Sequence, residues 1–519
     1  MAIDKLRYVK KVVSSPKFLN LRILFELKRW KRLLRDFNFT QKDIANEQKN
    51  VLIATNIGGN LNVFAFDLVL GLALRSRGHS VTFSMCHGSV PACMNCELNK
   101  FSNVNEFLTD GSRKLCKSCI KTGETALKVG SFQSIKLVKG QQDSIKEWDD
   151  EVASSGALRF LAIGQKEKSK HFEEVYKLFL TASRRMNFEF ADVLDGRHFD
   201  MIIAHHGIYV PQGNVTHLAR ERNIPLITWV QGYRKNTFIF GHGDTYHKSL
   251  LNENSDFTNL SDSDMVKTLE YMESRDTGIN DWIRFGIRTM DQTKPLPLSR
   301  TKRKVLLLTN VSWDAQLHYE SRIFTNMHEW IEKTIQWFEN QDNLELVIRI
   351  HPAELTGKIV TNDPVKNFLA DKFPHLSENI KIVGPDEEIS TYALMELADL
   401  GLIFATKAGL ELAVKGVPLV IAGESWLRGH GFSNDPVSQK QYFELLEKFK
   451  SGVQKLQVDK EAALNFAHYF FFEKSITVNS VSSINRYPYL RPKITNNWSN
   501  SDPGLMRIIQ GIESGKYEF

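Results

Sequence analysis

Buried-strand patterns and helical periods alternate along most of this chain. Leu344–Ile350 is an apolar run that stops at His351-Pro352, which predicts a buried strand ending in a loop. Residues 401–421 then predict a strand, a small-residue turn (Thr406-Lys407-Ala408-Gly409), a short helix, a Gly416-Val417-Pro418 turn and another strand. The pattern also occurs earlier. Val51–Ala54 predicts a strand, Thr55–Asn60 a glycine-bearing turn, Phe64–Arg77 a helix and Ser80–Met85 a strand. Residues 127–195 read as polar and helical, with Phe172, Val175, Tyr176, Leu178 and Phe179 as a buried stripe. Strands at Phe199–Ala204 and Pro225–Val230 flank a helix near Gly213–Glu221. Lys304–Thr309 starts the second series, followed by the loop Asn310–Asp314 and a helix at Asn326–Phe338. Strand, helix and strand in repetition predict an α/β fold with two Rossmann-like domains.

Before Asn50 the pattern changes. Residues 5–39 interleave basic side chains with apolar ones, including Phe18, Phe25 and Trp30. A basic amphipathic helix of this kind suits either the surface of an anionic membrane or plain packing on its own domain. Met1–Asp36 holds 11 Lys/Arg against three Asp/Glu, a net +8. The whole chain carries +7, so the rest stands at −1 and a nucleic-acid-binding body is not expected.

The predicted organisation is an arm (1–48), a first domain (49–293) with a Cys-rich insertion (86–119), a linker (294–302), a second domain (303–464) and a tail packing back on the body (465–519). With 519 residues there is ample core for two or three domains. No apolar run is long enough to span a bilayer and no secretory signal is found, so the cytoplasm is the expected location.

Three groups of residues carry candidate chemistry. All five cysteines fall between 86 and 119, and Cys93-x-x-Cys96 with Cys116-x-x-Cys119 has the spacing of a four-thiolate structural zinc site. An iron–sulfur cluster or free thiols are the alternatives. The Gly58-Gly59-Asn60 turn could receive a glycan acceptor, or could be a tight turn that lets a helix pack close. The third group is a loop-rich region with five histidines (205, 206, 217, 242 and 247) in 43 residues, together with Asp244, Tyr233 and Arg234. Asp244, or a histidine such as His205, His206 or His242, is the candidate general base; Tyr233 and Arg234 are candidates for acceptor contact.

The ordered set Arg349-Ile350-His351-Pro352, Thr406–Glu411 with Gly416-Val417-Pro418, and Arg428–Ser433 before Tyr442–Leu446 resembles the bacterial capsule polysaccharide biosynthesis family, which contains Kdo-type sugar transferases. The resemblance covers about residues 300–450, with a looser echo at Gly232–Lys235. It implies a GT-B glycosyltransferase: two Rossmann-like domains facing across a cleft, a nucleotide-sugar donor on the second domain, and no catalytic metal. His351 would meet donor phosphate or sugar, and Thr406, Lys407, Ala408 and Gly409 would hold the phosphate. Glu411 would take the ribose hydroxyls, with Arg349 and Arg428 as further cations. Lys407 departs from the family pattern, which has a small residue there. The implied acceptor is a growing surface polysaccharide or glycolipid, with the arm on the inner membrane. Rival readings are a sugar-nucleotide 2-epimerase, a CDP-glycerol-type transferase and a non-catalytic assembly scaffold.

Overall fold

A computed structural model describes residues 16–35, 45, 47–138, 142–251, 260–282, 296–313, 323–357, 359–453, 455–484 and 487–515. Part of the arm, the start of the linker and Asp314 lie outside the described residues. The chain forms two compact units: Met1–Phe160 with His171–Ser249 and Ser475–Phe519, and Leu161–Lys170 with Leu250–Lys474.

The first unit is built on a seven-stranded sheet. Its strands are β1 (Asn50–Asn56), β2 (Ser80–Cys86), β3 (Gln133–Leu137), β4 (Met201–His205), β5 (Leu226–Gln231) and β6 (Thr237–His242), with Ile476–Thr477 at one edge. From that edge the order runs β6-β5-β4-β1-β2-β3. β1 to β5 are parallel, and β6 runs antiparallel to β5. β1 and β4 are therefore neighbours although two strands intervene in sequence. Strand order reverses there, and that is where doubly wound sheets open a crevice beyond the strand ends.

β1 and β4 are almost wholly buried, which explains their unbroken apolar runs. β3 was not expected: only its last residue is buried, so a half-exposed edge strand reads as polar helix in the sequence. The rest of that polar segment forms two helices, Asp149–Leu161 and Phe172–Gly196.

The arm forms a helix, Pro16–Arg35. Ile23, Leu27, Trp30 and Leu34 are buried on one face. The helix packs against the insertion helix Arg113–Gly130, and Glu26 bonds Arg491. This part of the arm thus belongs to the body of the first unit.

The second unit has a five-stranded parallel sheet: β7 (Arg303–Leu308), β8 (Leu344–Arg349), β9 (Ile380–Val383), β10 (Leu400–Ile403) and β11 (Leu419–Ile421). The order is β11-β10-β7-β8-β9, the same winding as in the first unit, with the reversal between β7 and β10. Two Rossmann-type sheets, one per unit, are thus present as the sequence predicts.

The division differs from the expected boundaries at three places, the first being Leu161–Lys170, which goes with the second unit. The helix Asp262–Ser274 joins the second unit because it packs on Lys460–His468, where Thr268 Oγ1 meets His468 Nδ1 at 2.8 Å. The tail from Ser475 joins the first unit because Ile476 and Thr477 pair with Phe238 and Thr237 of β6.

Candidate functional site

The reversal point of the second unit collects the loops after β7, β8 and β10. The amide of His351 donates to Thr309 Oγ1 at 2.9 Å, and the amide of Ala405 donates to Asn310 Oδ1 at 3.4 Å. These two bonds tie the β8 and β10 loops to the end of β7. His351 Nδ1 accepts the Ala353 amide at 3.1 Å, which leaves Nε2 as the protonated nitrogen. Burial, then the Lys407 and Arg349 charges, push its pKa down to about 4, so the ring is a neutral hydrogen-bond donor at pH 7.

Thr406 and Lys407 stand between β10 and the short helix Ala408–Val414. Burial, then the neighbouring Arg275 charge, lowers the Lys407 pKa to about 7, with Glu411 and Asp281 pulling the other way. Lys407 is partly exposed as a residue, although burial of its amine is the largest cause of the lowered pKa.

Beneath it lies a buried polar network. Arg275 Nε donates to Glu411 Oε1 at 2.9 Å, and Nη1 donates to the Tyr271 hydroxyl at 2.8 Å and lies 3.1 Å from Asp281 Oδ2. The Tyr271 hydroxyl donates to Asp281 Oδ1 at 2.7 Å. Arg275, Asp281 and Glu411 are all below a tenth exposed. Burial works to raise the Glu411 pKa, but the Arg275 and Lys407 charges outweigh it and hold the carboxylate ionised.

This geometry revises part of the expected donor set. Glu411 is a buried counter-ion of Arg275 rather than a carboxylate presented to ribose. Arg349 donates to the Gly384 carbonyl and to Thr391 Oγ1, fastening the loop after β9. Arg428 donates to the carbonyls of Ile421 (2.8 Å) and Gly423 (3.3 Å) and so staples its own loop. Gly409 lets the helix approach β10: a Cβ there would lie 2.5 Å from Ile403 Cδ1. The Ala408 amide donates to Thr406 Oγ1 at 3.4 Å. What the structure gathers is His351, Thr406 and Lys407 with Thr309 and Asn310. The last two had no assigned role, although the end of the first strand of a Rossmann repeat is a standard ligand position. Arg275 was missed because its partner is 136 positions away.

In the first unit, the left-handed residues Asn56 (φ 57°) and His206 (φ 67°) stand at the end of β1 and just after β4, the two strands at the reversal. His205 packs edge-on against Trp229 at 4.8 Å, and burial lowers its pKa to about 3. His206 lies 6.2 Å from Tyr246 and 5.9 Å from His247. Asp244 is held in an ion pair with Arg220. His242 pairs across β5 with Ile227, near the start of that strand, whereas His205 pairs with Trp229 near its end. His217 stacks on Trp148 at 4.9 Å. The five histidines therefore do not form one cluster.

The acceptor residues expected at Gly58–Asn60 are covered. A Cβ on Gly58 would sit 2.1 Å from the Cys119 carbonyl and 2.7 Å from the Gly123 nitrogen. The Gly59 amide donates to Cys119 Sγ at 3.1 Å, and Asn60 caps the next helix. These glycines let the insertion helix lie on the β1 turn, the packing role the sequence left open. Arg234 reaches Thr477 Oγ1 at 3.3 Å. Tyr233 is in the same loop, between β5 and β6.

No family model matches the chain, and no curated protein matches it. Among solved structures it is similar to the Kdo 2,4 transferase of Thermosulfurimonas dismutans KpsC, at 14% identity over 52% of this chain and 79% of that one, TM-score 0.33. The Kdo 2,7 transferase of the same protein follows at 11% identity, 62% and 90% coverage, TM-score 0.34. The UDP-GlcNAc 2-epimerase of Neisseria meningitidis covers 82% of this chain and 99% of its own at 10% identity, TM-score 0.25. These likenesses are remote, and none carries a function across to this chain.

Proposed function

We propose that this chain is a glycosyltransferase that binds a nucleotide-sugar donor on its second unit and passes the sugar to a polysaccharide or glycolipid acceptor. One observation carries the reading: three loops at the β7/β10 reversal bring together a neutral histidine donor, a threonine hydroxyl and a partly exposed lysine. Such a set suits a phosphate leaving group. In the transfer, the acceptor oxygen bonds to the anomeric carbon as the bond from that carbon to the phosphate oxygen breaks. Lys407 would offset the charge left on the phosphate, and His351 Nε2–H would donate to a phosphate or sugar oxygen. The acceptor proton needs a base. Of the expected candidates, His205 and His206 lie at the reversal point of the first unit; burial makes His205 a weak base, so His206 is preferred to it and to Asp244, whose carboxylate already faces Arg220. The test is incubation with nucleotide sugars, with and without acceptor. Nucleotide release that requires acceptor supports transfer. Conversion of donor alone to an epimer contradicts it.

We further propose that the arm helix rests on an anionic membrane surface on the cytoplasmic side. Its outer face exposes Leu21 (54%), Leu24 (41%), Phe25 (69%) and Leu33 (36%). Lys28, Arg29, Lys31, Arg32 and Arg35 are exposed around them, while the single acid, Glu26, is buried. Each basic side chain near such a surface contributes about 1 kcal/mol. No helix among the described residues is long and apolar enough to cross a membrane, so attachment would be peripheral. Sedimentation with phosphatidylglycerol-containing vesicles should capture the full chain and weaken with salt. Vesicles of phosphatidylcholine alone should capture far less, and Phe25→Asp should reduce capture several-fold. Equal binding to both vesicle types would overturn this proposal.

A further inference from the structure

Four of the five cysteines surround one cavity in the first unit. Cys86, Cys93, Cys116 and Cys119 line it, together with Asn56, Gly88 and Ser112. Its volume is about 20 Å³, enough for one water or one metal ion. Cys96 is buried and bonds Cys93, but it does not line the cavity. The cavity is thus lined by Cys86 in place of Cys96. Cys86 arrives as the last residue of β2, and Cys116 and Cys119 lie on adjacent turns of the insertion helix.

Two further observations point to a ligand. The sulfurs are ringed by hydrogen-bond donors. Cys86 accepts from the Gly88 and Ser89 amides, Cys93 from the Asn95 amide, and Cys119 from the Gly59 amide at 3.1 Å. Cys116 Sγ lies 3.3 Å from Ser112 Oγ. Amides two residues beyond a cysteine that point back at its sulfur stabilise negative charge on that sulfur, as the outer shell of a thiolate–metal centre does. The second observation is Asn56. It is fully buried, its Oδ1 accepts the Ser84 hydroxyl at 2.7 Å, and its Nδ2 has no partner. That amide is a further donor with no acceptor in a cavity lined by sulfur.

We propose that Cys86, Cys93, Cys116 and Cys119 bind a single thiophilic ion, zinc, which fastens the insertion to the ends of β1 and β2. Among the described residues no three Cys, His, Asp or Glu side chains already converge on one point. A tetrahedral site needs each sulfur about 2.3 Å from the metal, so the side chains turn inward as the ion enters. A one-ion cavity favours zinc over a polynuclear iron–sulfur cluster. The role is structural: four protein ligands leave no open position for a substrate or water. The proposal does not depend on the transferase reading.

The test uses the full chain purified without chelator. Elemental analysis should give one zinc per chain, and cobalt substitution should give the absorption of a tetrahedral thiolate site. Cys86→Ser and Cys116→Ser should lose most of the metal, whereas Cys96→Ser should retain it. If a serine variant fails to fold, chelation of the wild type provides the second readout. Removing zinc should lower the melting temperature, and zinc alone should restore it. The proposal is overturned by wild type that neither contains nor takes up zinc. Iron–sulfur absorption also overturns it, as does retention of metal in Cys86→Ser with loss in Cys96→Ser.

Discussion

Arg275→Met will destabilise the second unit by about 3–5 kcal/mol, the usual effect of removing one partner from a buried ion pair. The substitution keeps most of the side-chain volume but leaves Glu411 and Asp281 buried without their guanidinium. It also removes a donor to the Tyr271 hydroxyl and a cation 5.0 Å from the Phe471 ring. Arg275→Lys should recover only part of the loss, because an ammonium cannot serve Glu411, Asp281 and Tyr271 from one planar group. Glu411→Gln should be milder, since the amide oxygen can still accept from Arg275 Nε. Thermal or denaturant unfolding checks the order. If Arg275→Met unfolds with the wild type, the network is not a structural element. The network also governs acid sensitivity. The folded-state pKa of Glu411 is depressed, so its contribution is present above the unfolded carboxyl pKa and is lost as pH falls through the folded value.

Nucleotide affinity will fall as pH rises through 7, and Lys407→Met will abolish that dependence. The sign follows from the amine. Below pH 7 Lys407 is protonated and attracts phosphate. Above pH 7 it is neutral, and the ligand must bring a proton in with it. For uptake of one proton the slope approaches about tenfold per pH unit. Loss of a charged hydrogen bond should also weaken binding by about 1.5–3 kcal/mol at pH 6, on the order of 10- to 100-fold. Calorimetry in two buffers of different ionisation enthalpy reads the proton uptake directly. A phosphate that titrates near pH 6 would show a pH slope in both proteins, so the difference between wild type and Lys407→Met is the quantity that counts. Equal affinity and equal slope in the two would remove Lys407 from the site.

The architecture was legible because its main signal is local. Runs such as Val51–Ala54 and Leu344–Ile350 are buried strands, and the loops that follow them were placed correctly at strand ends. The half-exposed β3 lacks that signal. His351, Thr406 and Lys407 could be placed in loops because each lies within a few residues of a strand end that the apolar pattern marks. The roles of Glu411, Arg349 and Arg428 could not be read, because each is decided by a partner known only after folding: Arg275, the Gly384 carbonyl and the Ile421 carbonyl. The histidine region shows the same limit. Proximity in sequence suggested a cluster, but β6 runs antiparallel and sets His242 opposite Ile227, two positions from His205's partner Trp229, while Arg220 takes up the Asp244 carboxylate. The cysteines show it in reverse. Cys86 has no spacing motif, yet strand register brings it to the cavity that Cys96 does not line.

Hydrogen exchange of the full chain with CMP, UDP, GDP, CDP and dTDP in turn, alongside melting temperatures, tests the central claim most directly. A nucleotide present at ~100 times its dissociation constant stabilises by about 2.7 kcal/mol. The account predicts that one nucleotide does so and slows exchange in the loops around Thr309, His351 and Thr406–Lys407. No stabilisation by any nucleotide, or protection confined to other parts of the chain, would contradict it.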